Sequence, residues 1–343
     1  MTITLDKRST LSIRWTHLAA LALLALAFSA CALSDGSTAS GGVVFSAESG
    51  DNVDVFTVDD ETGAPQRLTT ASGRDFAPAW SPNKKQIAFL SDRNGTPTLW
   101  LMDSGGDSKS QVSQTGLTIT GFRWAPDSKR IGIEVVEDNS RRIEVIEIES
   151  GESILLTPRS EDVRIGDWSP DGQWLVYAAI KGDDRGIRRR NPTGVDEIVV
   201  TTGPDLDPRW SPNGDWIAFS RESDDGTHAL VIIGEEGGKT TNLSLEKSGE
   251  TTYDWAPDSK RIVFVSESSG NAEIYIVTPD GKDSEQLTSN RVADTAPRWN
   301  KKGSSILFLS EGDGSYDIYS MNKDGEQQVR MTTIADLILE ADW

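Results

Sequence analysis

Cysteine and histidine are nearly absent: the 343 residues hold one Cys and two His. A single thiol closes no internal disulfide, and two imidazoles, one of them His17 in the leading segment, cannot furnish a multi-histidine metal centre. Positive charge is scarce as well. Against 34 Lys and Arg stand 54 Asp and Glu, a net charge of −20, which argues against nucleic acid or an anionic membrane surface as a partner of the folded body. Only one long apolar run is present, Leu18 to Ala30 ("LAALALLALAFSA"), and its thirteen residues are too few to span a bilayer. Helical periodicity is missing from the rest of the chain.

What is present begins with that run. Lys7, Arg8 and Arg14 precede it as a positive n-region, so residues 1–30 read as an export signal. Its end, "FSAC", resembles the lipobox of bacterial lipoproteins, in which the Cys becomes lipid-modified and forms the new N-terminus. Cys31, the one cysteine, is thus the expected lipidation site, with an ordinary cleaved signal as the alternative. Residues 31–42, including "ALSDGSTASGG", are small and polar and read as a flexible tether. Without residues 1–30 the chain keeps 31 basic and 53 acidic residues, a net charge of −22.

Residues 43–343 are organised by a repeat. Trp80, Trp124, Trp168, Trp210, Trp255, Trp299 and Trp343 are spaced by 44, 44, 42, 45, 44 and 44 residues, a period in the range of propeller blades. After each of the first six comes a Pro- or Gly-bearing turn such as "SPDG" or "APDS", then an aliphatic strand ("IAFLS", "IVFVS"), a second strand ("TLWLMD", "EIYIVT") and a short third ending near "LT". With the Trp strand this makes four strands per unit. The first unit, Val43 to Thr70, lacks a Trp strand, whereas the chain ends on an orphan one, "LILEADW"; together they complete one blade. The expected fold is an all-β, seven-bladed propeller of four-stranded antiparallel blades, closed by the C-terminal strand joining the N-terminal blade.

The pattern P-x-W-S-P-D/N-G-x-x-I-x-F-S … D-I-Y resembles the WD-like repeat of the TolB family of β-propellers across residues 43–343. That resemblance implies a scaffold and no single activity. TolB itself carries a small α/β domain ahead of a six-bladed propeller and docks on an envelope lipoprotein. Prolyl peptidases and some pectin-degrading lyases share the repeat, the lyases with several histidines around a metal.

Chemical signatures are sparse. His228, the second histidine, reads as an exposed or structural residue, and no G-x-S-x-G elbow accompanies it. "GEEGGKTT" (Gly234 to Thr241) is one residue short of a phosphate-binding loop and is followed by no helix, so it reads as a turn. The Asp-rich turns never complete a calcium loop. The repeated tryptophans read as wedges between blades, with Trp174 and Trp216 nearer a blade edge.

Three sets of charged residues stand out. Residues preceding the repeat tryptophans run Ala79, Arg123, Asp167, Arg209, Asp254, Arg298 and Asp342, an alternation expected to crowd toward the axis and lock neighbouring blades, with a channel ligand as the alternative. Five residues before the Trp stand Asp75, Asp205, Glu250 and Asp294, either a channel-mouth site for a cation or basic peptide or turn residues entering a strand. Finally Arg188, Arg189 and Arg190, with Arg185 just before, occupy a strand that is mostly apolar in other blades. Either acids such as Glu144 and Glu147 match them, or they form a basic partner-binding patch. The sequence thus reads as an exported, lipid-anchored, non-catalytic scaffold, a monomer without cofactor, metal or nucleic acid, binding an envelope protein or small ligand. The alternatives are a carbohydrate- or peptide-processing enzyme using carboxylates and a sensor of envelope ligands.

Overall fold

The computed structural model describes residues 42–59, 64–183, 185–244, 252–312, 315–332 and 338–343. The expected signal segment, Cys31 and Glu250 lie outside these residues. Seven four-stranded antiparallel sheets follow one another, and the described residues contain no helix. The protein is a seven-bladed β-propeller, as the Trp period predicts.

Blade 1 has the order β28-β1-β2-β3, pairing Ile338–Asp342 with Val43–Ser49, then Asn52–Val58 and Gln66–Arg67. Blades 2 to 7 each take four consecutive strands, from β4 (Asp75–Trp80) through β27 (Val329–Arg330). In the register of the closing pair, Val44 faces Asp342 and Phe45 faces Ala341. The orphan Trp strand therefore completes the first blade.

The hydrophobic core lies between blades. Val44 and Val55 of blade 1 pack with Ile87, Phe89 and Met102 of blade 2, while Val43 and Phe45 pack on the other side with Leu307, Leu309 and Ile318 of blade 7. Five of the repeat tryptophans are buried at these seams, and Trp124 and Trp343 are partly so. A buried indole removes on the order of 200 Å² from water, a gross gain of about 5 kcal/mol, so the repeated Trp is a principal element of blade-to-blade adhesion.

The other landmarks have local causes. In the turn after each of the first six tryptophans the fourth residue, Lys84, Ser128, Gly172, Gly214, Ser259 or Gly303, has positive φ and donates its N–H to the carbonyl of the first at 2.8–3.0 Å. Ser128 and Ser259 accept this conformation, unfavourable for a side chain, while their hydroxyls take the N–H of Asn83 and Asn213 in the preceding blade, at 3.1 and 3.0 Å. The "LT" threonines Thr69, Thr157, Thr201, Thr288 and Thr332 accept a backbone N–H from the residue fourteen positions earlier. This satisfies a donor at the end of the second strand's pairing.

Candidate functional site

The innermost strands carry the tryptophans, and they are bent. Register shifts occur at Phe76/Ala79, Ile119/Gly121, Ile165/Asp167, Leu206/Arg209 and Thr295/Arg298. Three of these bulges place Ala77, Asp207 and Ala296 at φ 51°, each directly before a proline. A non-glycine residue with positive φ is strained, and a following proline narrows its freedom further. Such a bulge re-aims the residues after it: here, those preceding Trp80, Trp210 and Trp299.

Those residues surround the axis. Two cavities of about 420 and 100 Å³ open there, and both are lined by Arg123, Arg209 and Arg298. The larger also meets Glu340 and Asp342; the smaller also meets Asp207 and Tyr253. Arginines come from blades 3, 5 and 7, aspartates from blades 4, 6 and 1, and Ala79 from blade 2 interrupts the alternation.

The two charges are used differently. Asp342 accepts the Trp80 backbone N–H at 3.0 Å and Asp254 that of Trp299 at 2.8 Å. Asp167 accepts the N–H of Trp168 at 2.9 Å and is also bonded by that of Trp210. Each aspartate thus fastens its blade to the next through a backbone donor. The arginines make no such wall contact. Arg123 and Arg298 each give one nitrogen to the carbonyl of their own preceding residue, at 2.8 and 3.0 Å, and Arg209 lies 5.8 Å from the centre of the Tyr253 ring. Among the described residues no carboxylate comes within ion-pair distance, 4.0 Å, of the three guanidiniums. The alternating ring exists, but its members attract one another across space without direct pairing.

Electrostatics record this crowding. Burial, with Arg209 as like-charged neighbour, draws Arg298 down to about 10 and also lowers Arg123. Burial pulls Arg209 down too, but Asp254, Tyr253, Asp167 and Asp207 outweigh it and hold this residue above its usual value. All three stay cationic near neutral pH. Burial raises the carboxyls of Asp167 and Asp254 despite the neighbouring arginines. Glu340, reachable by water yet walled by protein on most sides, is raised for the same reason.

The other charged sets behave otherwise. Asp75, Asp205 and Asp294 do not line the channel mouth: they are 0, 1 and 0 % exposed. Arg93 clamps both oxygens of Asp75 at 2.9 and 2.8 Å, and Arg221 those of Asp205 at 2.7 and 2.8 Å. Asp294 accepts from Asn290 at 2.7 Å, and burial together with nearby Glu273 raises its carboxyl. Buried carboxylates need such donors; these belong to the strand ends.

The arginine triplet is a further correction. Arg188, Arg189 and Arg190 sit in the regular strand β14 (Gly186–Arg190) with side chains 14, 8 and 13 % exposed. Arg188 and Arg190 share Glu197 on the adjoining strand, while Arg189 reaches Glu235 of the next blade at 3.2 Å and stacks 4.7 Å from the centre of Trp174. The acids are therefore not Glu144 and Glu147, and the triplet forms no open patch. Arg185 alone is exposed.

Elsewhere, His228 Nδ1 lies 3.0 Å from Ser220 Oγ inside a strand pair, and Gly234 to Thr241 is a hairpin connection. Among the described residues no group of three or more His, Cys, Asp or Glu is placed to hold a metal ion. Glu340 was missed from the sequence, although it stands two residues before Asp342 on the same strand, a spacing that puts both on one face.

The fold and the channel define a class of protein, seven-bladed propellers whose axial channel is lined by residues of the Trp strands. The model of the TolB beta propeller domain matches residues 35–194 and 193–343, and the chain belongs to that family. Dipeptidyl-peptidase 5 of Porphyromonas gingivalis is 24 % identical over 240 residues, 62 % of this chain and 33 % of that protein, so the chain spans only a third of it. TolB from Acinetobacter baumannii superposes with a TM-score of 0.57 at 18 % identity, covering 74 % of this chain and 65 % of its own. Oligogalacturonate lyase from Vibrio parahaemolyticus superposes with a TM-score of 0.63 at 15 % identity, covering 86 and 87 %. At these identities the structural likenesses establish the fold alone.

Proposed function

We propose that this protein is an exported, lipid-anchored binding module that takes its ligand in the axial channel. One observation carries the reading: three guanidiniums with donors to spare, Arg123, Arg209 and Arg298, face the lumen beside Asp207 and Glu340, while the ring aspartates are bonded into the wall. Guanidiniums hold and orient a ligand but exchange no proton near neutral pH, which favours retention over turnover. The anchor is Cys31, carried by the "FSAC" junction and the tether behind it. The ligand is an envelope protein segment or a small molecule.

Two measurements test this. Radiolabelled fatty acid should enter the wild type and not Cys31→Ala; equal labelling would remove the anchor. Filling the lumen with Ala79→Trp should abolish ligand retention without unfolding the ring; undiminished retention would place the site elsewhere.

One observation favours a catalytic reading. Glu340 stands in the larger cavity with a carboxyl raised above its usual value by desolvation, the direction that favours a general acid. Turnover of a glycan or peptide that is lost in Glu340→Gln would establish it.

A further inference from the structure

We infer that the channel ligand is a small molecule bearing two or more carboxylate or phosphoryl groups, held jointly by Arg123, Arg209 and Arg298. This rests on the channel being the binding site and specifies the chemistry it accepts.

The first ground is unspent hydrogen-bonding capacity. A guanidinium presents five donors in a planar fork. Arg123 and Arg298 each use a single nitrogen, on a backbone carbonyl, and among the described residues Arg209 donates to none. Three forks aimed into one lumen match the oxygens of carboxylate or phosphate, which accept them in pairs.

The second ground is repulsion. Arg209 depresses both Arg123 and Arg298, and Arg123 depresses Arg298 in turn. An enclosed anion removes that cost for Arg123 and Arg298 and takes up the unspent donors of Arg209, so its binding is worth more than separate surface pairs. The resident negative charges do this only in part: Asp254, Asp167 and Asp207 hold Arg209 above its usual value, while Arg123 and Arg298 stay lowered. The ring aspartates bond to backbone N–H groups, and Glu340 feels Arg123 and Arg298 without reaching ion-pair distance of either among the described residues.

The third ground is backbone strain. The bulges with Ala77, Asp207 and Ala296 at φ 51° lie on this lumen, and two of them immediately precede the Pro-Arg pairs that present Arg209 and Arg298. Strain retained at a cavity wall marks preorganisation. The size limit follows from the rest of the molecule: about 420 Å³ admits a compact ligand, and a body of net charge −20 repels long polyanions.

The test uses the full chain purified in detergent, titrated calorimetrically with citrate, with pyrophosphate and with acetate as the single-charge control. Citrate or pyrophosphate is expected to bind one per protein, at least tenfold tighter than acetate. Binding of citrate alone would assign carboxylates, and of pyrophosphate alone phosphoryl groups. Arg209→Gln should weaken that binding at least tenfold, and Arg209→Lys, which keeps charge but loses the fork, by an intermediate factor. Melting curves confirm folding, and Arg298→Gln replaces Arg209→Gln if the latter unfolds. No binding to the wild type, or unchanged affinity in a folded arginine variant, overturns the inference.

Native mass spectrometry of the wild type and Ala79→Trp, isolated from their own membranes, separates the two levels of the argument. A co-purified neutral molecule that the plug displaces would overturn the anion while leaving the channel as the site. A molecule retained equally by both would overturn the channel itself.

Discussion

Asp342 and Trp80 are 262 residues apart in sequence and joined by a hydrogen bond of 3.0 Å from the Trp80 N–H to Asp342 Oδ2. This contact crosses the seam where the ring closes: the last strand, already paired with the first, also grips blade 2. Closure is therefore both an edge pairing and a link between neighbouring blades. Deleting residues 335–343 exposes the edge of β1 and should replace cooperative unfolding with aggregation or a broad transition. Asp342→Ala should cost about 1–3 kcal/mol, the penalty of an unpartnered donor, read by urea denaturation. Asp342→Asn keeps an acceptor and should lose less.

The arginine triplet should act on stability. Arg189 lies between Trp174 and Trp210 with Glu235 at its tip, so Arg189→Ala removes packing and a cation–π contact together. The expected loss is about 1–3 kcal/mol, visible in the denaturation midpoint. Replacing Arg188, Arg189 and Arg190 together by Gln should lower stability further while channel binding by any folded fraction persists. A stable triple variant that has lost its ligand would restore the triplet as a binding surface.

A pH dependence follows from Asp254. Burial raises its folded pKa above the ordinary 3.8, although Arg298 and Arg209 oppose the shift. The folded state then holds the proton more tightly than the unfolded chain. Its contribution is fully present below the unfolded value and is lost as pH rises through the raised folded one. Asp254→Asn retains an acceptor for the Trp299 N–H and removes the buried charge. The variant should therefore match or exceed the wild type in Tm at pH 7 and show a flatter decline between pH 4 and pH 7, followed by calorimetry at about unit intervals. A steeper decline would show that the carboxylate's attraction to the arginines dominates.

Ser259 offers a test of turn strain. Its φ of 59° penalises any side chain, while its hydroxyl accepts the Asn213 N–H at 3.0 Å. Ser259→Ala loses the bond and keeps the strain; Ser259→Gly loses the bond and relieves it. The alanine variant should be the less stable by about 0.5–1 kcal/mol, measured in parallel urea titrations.

The sequence by itself determined the architecture. A tryptophan every 42 to 45 residues, a turn and two aliphatic strands define a blade, and an orphan strand at the end with an incomplete unit at the start defines closure. These are legible because each blade solves the same local problem: alternating faces, a tight reversal and one large apolar wedge. The position of the arginines around the axis was legible for the same reason, since they precede the wedge residue in every second blade. Pairing was not. Glu197 meets Arg188 and Arg190 because β15 (Glu197–Val199) lies beside β14, and Glu235 meets Arg189 because the next blade leans over it. Asp75 and Asp205 turn inward because Arg93 and Arg221, further along the chain, reach back to them across a strand pair. The free donors of Arg123, Arg209 and Arg298 were decided last, by bulges that break the two-residue alternation and by backbone N–H groups that claimed the aspartates first. Charge order around a ring is written along the chain, but which charges touch depends on distances of a few ångströms that only the assembled blades set.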